Sequence, residues 1–324
     1  MNFNQHYTAV LSSDLLPDEK PTKVIFQNKS IVVIRSNGQI RAYDDFCPHR
    51  GAPLSEGFFR DGQLHCPYHG WSFSFEKGEN TNVPVKNEPV KCELKKIHAI
   101  EKFGLIWMCM EVDGIIPTLL DEKATIFTSG VINALVHNSI ENFLEGSHTH
   151  YIHDGLIRSQ KTQRQNIKAY FVPNETGFKV HYSEEPPKGL ITKLTPKKYK
   201  NLKSVATYIY PNLTILEYFN QEDELISRFE GIFSSRNEET QYFARIFLNF
   251  GIITPLLKPF ASKVFKKVIQ QDVEILELQN ANLKTHPGNK FVSDNTDLVG
   301  QQIFAWLFDQ DKIIKEPIHF NLYW

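Results

Sequence analysis

Two short cysteine–histidine strings restrict the fold of this chain more than any other feature of its sequence. Cys47-Pro48-His49 and Cys66-Pro67-Tyr68-His69 each combine a thiol with an imidazole, and residues 50–65 separate them. Thiolates and imidazoles are metal ligands, and four of them reach one metal centre only if the two strings form neighbouring loops. The first third of the chain is therefore expected to fold as strands that bring these loops together.

Two hairpin signals support this arrangement. Asn37-Gly38 lies between two runs of β-branched and aromatic residues, and Asp61-Gly62 separates Gly57–Arg60 from Gln63–Cys66. Asn-Gly and Asp-Gly favour two-residue hairpin turns because these residues tolerate a positive φ. We expect a small antiparallel all-β domain over residues 1–115.

Residues 116–324 predict a second domain of the α+β class. Their patterns indicate, in order, a helix near 138–150, strands around 168–182, 204–218, 226–234 and 240–249, and a long helix near 261–283. A run of strands followed by a long helix is typical of a curved antiparallel sheet that grips that helix. The chain as a whole is thus expected to be α+β, with two domains.

Composition limits the classes of partner. The chain has 324 residues, a formal net charge of -1 and a pI near 6.9, so its overall electrostatics give no reason to expect nucleic acid or an anionic membrane. The N-terminal residues lack the pattern of a secretory signal, no run of about 18 apolar residues indicates a membrane span, and we expect a cytoplasmic protein. Gly251–Ile269, the most hydrophobic segment, contains Pro255, Pro259 and four lysines, and it predicts an amphipathic helix with a broken start.

The ligand order in the two strings favours an iron–sulfur cluster. A Rieske-type [2Fe–2S] cluster needs two cysteines on one iron and two histidines on the other, and each string supplies one residue of each kind. Zinc is the alternative, since Cys₂His₂ sets bind Zn²⁺ tetrahedrally, although zinc fingers usually place a cysteine pair before a histidine pair. The other two cysteines, Cys92 and Cys109, are expected to be small structural residues.

The segment Glu141–His153 holds three histidines and two acids, a density that indicates a second metal site. Spacing does not select the pair of histidines. His150 and His153 would share a helical face, whereas His148 and His153 require the helix to turn or end.

Asp272 in the predicted late helix supplies a carboxylate for the same site. Phe265, Ile269, Asp272 and Leu276 follow in steps of four, three and four, so Asp272 falls on the apolar stripe. A buried carboxylate costs free energy unless it is paired or bound to a cation. Two histidines and a carboxylate are the usual ligands of oxygen-activating Fe(II).

Together these features resemble the Rieske non-haem iron oxygenase family, over nearly the whole chain. The likeness is carried by the two cysteine–histidine strings, by Glu141–His153 and by the Gln271–Leu276 context. It is greatest for the compact, homotrimeric branch that includes vanillate O-demethylases. The resemblance implies a Rieske [2Fe–2S] domain followed by a helix-grip catalytic domain with mononuclear Fe(II).

The resemblance also assigns roles to individual residues. The implied cluster ligands are Cys47, His49, Cys66 and His69, the implied iron ligands are His148, His153 and Asp272, and the implied catalytic positions are Asn142 and Glu145, with His150 near the pocket. In the family's head-to-tail trimer, a carboxylate bridges a cluster histidine of one subunit and an iron histidine of the next. Position 145 matches that bridge, but it holds Glu145 where most relatives have Asp.

The function that the resemblance implies is that of a terminal oxygenase component. It would use O₂ and external electrons to hydroxylate or oxidatively demethylate a small organic substrate, aromatic or cyclic. The sequence has neither a Gly-rich dinucleotide fingerprint nor plant-type ferredoxin spacing, so an NAD(P)H-dependent reductase, directly or through a ferredoxin, is the expected electron donor. Six lysines between Lys188 and Lys203 suggest either a docking surface for an acidic donor or a solvated loop.

Other functions remain open on the sequence alone. A cis-dihydroxylating dioxygenase is the alternative reaction, and a Rieske electron carrier or a non-catalytic ligand-binding protein is the alternative of another class. The electron carrier gives no reason for Asp272 on an apolar stripe. Residues that line the substrate cavity are expected from the strands at 204–218 and 226–249.

Overall fold

The computed structural model describes residues 3–120, 124–159, 164–185, 202–288 and 291–323. The chain divides into two compact units, Met1–Asp121 with Ser235–Asn237, and Glu122–Ser234 with Glu238–Trp324. The lysine-rich segment between Lys188 and Lys203 lies outside the described residues except at its end, where Lys203 pairs with Asp223 at 2.9 Å. Among the described helices, none is both long and apolar enough to cross a membrane.

Antiparallel strands build the first unit. They are β1 (Thr8–Ser12), β2 (Thr22–Phe26), β3 (Lys29–Ser36), β4 (Gln39–Asp44), β5 (Phe58–Arg60), β6 (Gln63–His65), β7 (Ser72–Ser74), β8 (Asn80–Asn82), β9 (Lys96–Lys102) and β10 (Leu105–Cys109). One sheet has the order β1-β10-β9-β4-β3-β2 and the other β5-β6-β7-β8. The prediction of an all-β unit is confirmed.

Both predicted hairpins are present in this unit. Strands β3 and β4 pair directly across Asn37-Gly38, and β5 and β6 pair across Asp61-Gly62. All four turn residues have positive φ, between 49° and 72°. Such turns match the twist of the flanking strands, so the local sequence fixes the pairing register.

A small core supports the two cysteines of the first unit. Cys47 and Cys66 pack in one cluster with Leu54, Leu64 and Phe73, and none of these five residues is more than 2 % exposed. Because core side chains are close-packed, this cluster fixes where the two loops start.

The second unit is one large sheet with helices. Its strands are β11 (Ile126–Ile132), β12 (Asn166–Asn174), β13 (Gly177–Glu185), β14 (Leu202–Ile209), β15 (Leu213–Phe219), β16 (Leu225–Arg236), β17 (Glu239–Leu248) and β18 (Ile318–Tyr323), in the order β11-β17-β16-β15-β14-β13-β12-β18. Its helices are α1 (Val136–Leu144), α2 (Thr254–Thr285) and α3 (Leu298–Phe308).

The helices pack on this sheet at different places. Ile140 of α1 and Trp306 of α3 join a core cluster with Phe178 and Tyr208 from β13 and β14. The long helix α2 packs near the other edge, where Leu276 meets residues at the end of β11. The prediction of a curved sheet with a long helix is confirmed.

Three details differ from the expectation. The second unit begins with strand β11 rather than a helix, and α1 ends at Leu144 rather than near residue 150. After α2 come α3 and β18, which the patterns did not indicate. Helix α3 is apolar on nearly all sides, so it has no stripe from which a helical period can be recognised.

Leu64→Ala should lower the free energy of unfolding by about 3 kcal/mol, because it leaves a cavity in the cluster that supports both cysteines. Urea titration followed by fluorescence measures the change. The control is Val85→Ala: Val85 is 94 % exposed, and its truncation should cost less than about 0.5 kcal/mol. Equal costs for the two variants would contradict the role given to this cluster.

Candidate metal centres

The two cysteine–histidine loops of the first unit repeat one backbone pattern. In each, the cysteine N–H donates to the carbonyl five residues later, and the cysteine carbonyl accepts from a glycine N–H four residues later. These bonds join Cys47 to Ala52 and Gly51 at 2.9 and 2.8 Å, and Cys66 to Trp71 and Gly70 at 2.8 and 3.1 Å. Both glycines have a positive φ, +74° and +69°, which a side chain would disfavour.

The ligand side chains of these loops lie close together. The Cys47 thiol is within hydrogen-bonding reach of Cys66, and the rings of His49 and His69 are 4.6 Å apart. Trp71 stacks on His49 at 4.6 Å with an interplanar angle of 5°, so it fixes the plane of that imidazole. Sequence reasoning missed Trp71, because only the fold shows which ring it covers.

The chemistry of these four side chains fits a metal cluster. Burial raises the pKa of the Cys47 thiol to about 11; the His49 backbone N–H lowers that pKa and the Cys66 thiol raises it. Nδ1 of His49 is shielded from solvent and makes no hydrogen bond within the described part of the chain. An unpartnered, shielded ring nitrogen is unfavourable alone, and cationic iron would satisfy it; the two thiols beside it would bind that iron as thiolates.

In the second unit, the structure brings together His148, His153 and Asp272. One ligand atom from each lies within 4.8 Å of the others. Oδ1 of Asp272 is 3.0 Å from Nε2 of His153 and 3.5 Å from Nε2 of His148. His150 is 1 % exposed but is not part of this group. The pair that spacing left open is thus His148 with His153.

A break in the chain after α1 produces this pairing. Glu145 leaves the helix with φ -80° and ψ 142°, and a 3-10 turn follows over Ser147–His150. Arg158, which is buried, donates to the carbonyl of Gly146 at 2.9 Å and to the Thr149 hydroxyl. Sequence reasoning missed Arg158, since nothing near it in the chain marks it as a support of this turn.

Each histidine of the site has its other ring nitrogen bound. Nδ1 of His148 is hydrogen-bonded to Oε1 of Glu145, and Nδ1 of His153 lies 3.1 Å from Oε1 of Gln271. A carboxylate or amide oxygen can only accept here, so both Nδ1 atoms carry a proton, and in the neutral ring each Nε2 has a free lone pair. Gln271 was not identified from the sequence, although it precedes Asp272.

The charges of the site are coupled. Burial raises the pKa of Glu145, but its hydrogen bonds from His148 and Ser147 outweigh this and leave the pKa lowered. Burial lowers the pKa of His148, but Glu145 and Asp272 outweigh this and leave the pKa raised. The pair therefore favours a carboxylate at position 145.

Asp272 itself lies on the buried stripe of α2, four residues from both Val268 and Leu276. Its side chain is 21 % exposed, and the buried residues of this helix are Val264, Val268, Leu276 and Asn280. Oδ1 of Asp272 is nevertheless shielded, and among the described residues it has no hydrogen-bond partner, because the histidine contacts are close without hydrogen-bond geometry. A carboxylate oxygen that faces two Nε2 lone pairs fits a bound cation.

A cavity of about 530 Å³ borders His148 and lies between the three helices. Asn142 and Glu145 line it, and so does Glu141, whose pKa burial raises to about 7, with the charges of Glu145 and Asp297 adding to the shift. None of the residues that line this cavity comes from the strands at 204–218 and 226–249, from which the substrate-cavity residues are expected. Sheet side chains such as Tyr208 and Phe233 are instead packed into the core beneath α1 and α3.

Comparison with known protein families covers both units. The Rieske [2Fe-2S] domain family matches residues 6–101, and the family described as the vanillate O-demethylase oxygenase C-terminal domain matches residues 132–307. The first match shows a [2Fe–2S] domain, rather than a zinc domain, in the region that contains the cysteine–histidine loops. The second belongs to oxygenases with a mononuclear iron, so the prediction of these two cofactors is confirmed.

Curated relatives and solved structures agree with the family matches. Protein TIC 55, chloroplastic, of Pisum sativum is 27 % identical over 289 residues, 82 % of this chain and 50 % of that protein. The oxygenase component of dicamba O-demethylase from Stenotrophomonas maltophilia is 24 % identical over 87 % of this chain and 90 % of its own. The chain spans half or less of the length of the first curated relatives that it matches.

Among solved structures, dicamba monooxygenase bound to dicamba has a TM-score of 0.76 and 18 % identity, and the match covers 94 % of this chain and 96 % of that one. At this identity the likeness shows the fold, and the sequence families carry the assignment. Because one family matches more than half of the chain and the cluster family matches most of the first unit, this chain belongs to the Rieske non-haem iron oxygenases, with a catalytic domain of the vanillate O-demethylase type.

Proposed function

We propose that this chain is the terminal oxygenase component of a multicomponent system, with a cluster domain in residues 1–115 and an iron domain in residues 116–324. The observation that carries the proposal is the convergence of His148, His153 and Asp272 within 4.8 Å. An electron carrier or a passive ligand-binding domain has no use for this arrangement.

The cluster ligands are proposed to be the residues of the two matching loops. Cys47 and Cys66, buried at the base of the loops, would hold one iron, and His49 and His69, nearer the surface, would hold the other. This separation agrees with the two kinds of iron in a Rieske centre. Trp71 would keep the His49 ring in a fixed plane.

The iron ligands are proposed to be Nε2 of His148, Nε2 of His153 and Oδ1 of Asp272. When bound, a mononuclear Fe(II) supplies oxygen activation. The chain's own part is orientation: Glu145 and Gln271 hold the two Nδ1 protons, which fixes the rings and makes Nε2 more basic.

Glu145 is proposed to have a second role in a homotrimer, between His148 of its own chain and a cluster histidine of the next subunit. The hydrogen bond to His148 supports the intramolecular half of this bridge. Oε2 of Glu145 also accepts the Ser147 N–H at 2.7 Å. The longer side chain thus bends back toward its own turn, which offsets its extra methylene relative to aspartate. Asn142 lines the cavity beside it and is proposed to act at the same site.

The proposed reaction is hydroxylation or oxidative demethylation of a small aromatic or cyclic substrate. The family of the C-terminal domain and the dicamba O-demethylase relative support this class. Electrons would come from an NAD(P)H-dependent reductase, directly or through a ferredoxin. The chain is proposed to work in the cytoplasm.

Metal analysis of anaerobically purified protein should give about three iron atoms and two sulfides per chain. Electron paramagnetic resonance after dithionite reduction should show a Rieske-type signal. A chain that keeps only two iron atoms after Fe(II) reconstitution would contradict the oxygenase proposal and support an electron carrier.

Two variants on α2 apply the same iron analysis to the second site alone. Asp272→Ala should lose one iron per chain and all turnover while keeping the cluster spectrum. Glu274→Ala is the matched control, because Glu274 is an exposed acid two residues away. Full turnover of Asp272→Ala would rule out its role as a ligand.

Gln271→Leu should weaken Fe(II) binding at the second site about 10- to 100-fold, because His153 loses the acceptor that holds its Nδ1 proton. Gln271→Glu keeps an acceptor at that position and is the control. Anaerobic Fe(II) titration measures the affinity, with the cluster absorbance as an internal reference. If the Leu and Glu variants bind iron equally well, the hydrogen bond has no such role.

Glu145→Ala should slow cluster reoxidation by O₂ in a single turnover by about 100-fold or more, because the support of His148 is removed. Glu145→Asp keeps the carboxylate and should stay within about tenfold of the parent rate. Stopped-flow absorbance of the cluster measures both rates. An unchanged rate in Glu145→Ala would argue against any bridge through this residue.

A further inference from the structure

The first turns of α2 lie outside the metal site and have an amphipathic pattern of their own. A 3-10 turn over Gly251–Ile253 precedes the helix, which then carries Pro255 and Pro259. A helix forms over this segment as predicted, but its start is not broken, because Pro255 falls in the first turn and Pro259 lies inside a continuous helix. Ala261 and Phe265 pack toward the sheet, so the opposite side of these turns faces away from it.

Three apolar side chains on this outer side are exposed. Ile252 is 98 % exposed, Leu256 80 % and Phe260 46 %. They follow one another at intervals of four residues and so form one stripe, here called the apolar tip. Single exposed apolar residues are ordinary, but a row of three at one helix end is a contiguous patch that favours contact with an apolar phase.

Three exposed lysines, Lys263, Lys266 and Lys267, follow the apolar tip along the helix. Steps of three and four lead from Phe260 to Lys263 and Lys267, so these two lysines continue the same stripe. Between Glu239 and Asp272 the sequence contains no acidic residue.

We propose that this surface binds an anionic lipid membrane, with the apolar tip inserted at the level of the headgroups and Lys263, Lys266 and Lys267 against lipid phosphates. Helices that lie in a bilayer interface combine exposed apolar residues with lysines in this way. A protein interface instead surrounds an apolar centre with a rim of mixed polar groups. The positive charge of these three lysines complements an anionic surface.

The net charge of the whole chain does not reveal this surface. At -1 it gave no reason to expect an anionic membrane, because acidic residues elsewhere balance the lysines of α2. An anionic membrane surface attracts protein charges only within about 8 Å at physiological salt. The charge of the local patch, rather than the net charge of the chain, therefore decides whether the chain binds. The proposal does not depend on the oxygenase function, since no metal ligand or cavity residue beside His148 belongs to the apolar tip.

Co-sedimentation of the full chain with vesicles tests the proposal. Vesicles of phosphatidylcholine with roughly a third phosphatidylglycerol should bind the chain at least about tenfold more tightly than phosphatidylcholine alone. Lys263→Glu/Lys266→Glu/Lys267→Glu should weaken binding about 100-fold, since each lysine near an anionic surface contributes roughly a factor of five. Leu256→Ser/Phe260→Ser should also weaken it about tenfold.

Matched controls separate the surface from general charge and hydrophobicity. Lys20→Glu/Lys23→Glu/Lys29→Glu makes the same charge change at exposed positions of the first unit, and Val85→Ser removes an isolated apolar residue that is 94 % exposed. Both should bind vesicles like the parent chain. The cluster spectrum and the melting temperature confirm that each variant is folded. If Leu256→Ser/Phe260→Ser does not fold, the single variant Leu256→Ser is used in its place.

Three results would overturn the proposal. One is equal loss of binding in the two triple-lysine variants, and another is equal binding of the parent chain to neutral and anionic vesicles. In the third, light scattering shows a changed oligomeric state for Leu256→Ser/Phe260→Ser while its vesicle binding is unchanged. The apolar tip would then be a contact between copies of the chain.

Discussion

The end of helix α1 at Leu144 is the constraint on which the second metal site depends. Had the helix continued, His150 and His153 would share a face and His148 would point away from it. The chain instead leaves the helix at Glu145 and enters a 3-10 turn. This change of direction places His148 and His153 beside Asp272.

The residue at the break also orients a proposed ligand. Glu145 accepts the Ser147 N–H, which stabilises the turn, and it is hydrogen-bonded to Nδ1 of His148, which fixes the ring. Arg158 holds the same turn from the other side through the Gly146 carbonyl. Local folding and ligand geometry are therefore coupled, since a substitution that relaxes the turn also frees the imidazole.

Features set by local chemistry were the ones that the sequence predicted. The hairpins at Asn37-Gly38 and Asp61-Gly62 follow from turn residues, and α2 follows from its stripe. Contacts made by distant segments were missed: β11 pairs with β17 along its whole length, and Gln271 reaches His153 from 118 residues away. The choice between His148 and His150 was open for the same reason, because it depends on where α1 ends against the sheet.

The groups that face each metal site carry a cost that only binding removes. Nδ1 of His49 and Oδ1 of Asp272 are shielded without hydrogen-bond partners in the described chain, and such a group costs about 1–3 kcal/mol. Burial also raises the pKa of the Cys47 thiol, so metal binding there must release its proton. The core that positions the proposed ligands therefore also keeps water away from them. A bound cation removes this free-energy cost, which raises both the affinity for the cation and the stability of the fold. For the second site the proposed ligands come from the segment after α1 and from the middle of α2, so bound iron would tie that segment to the long helix.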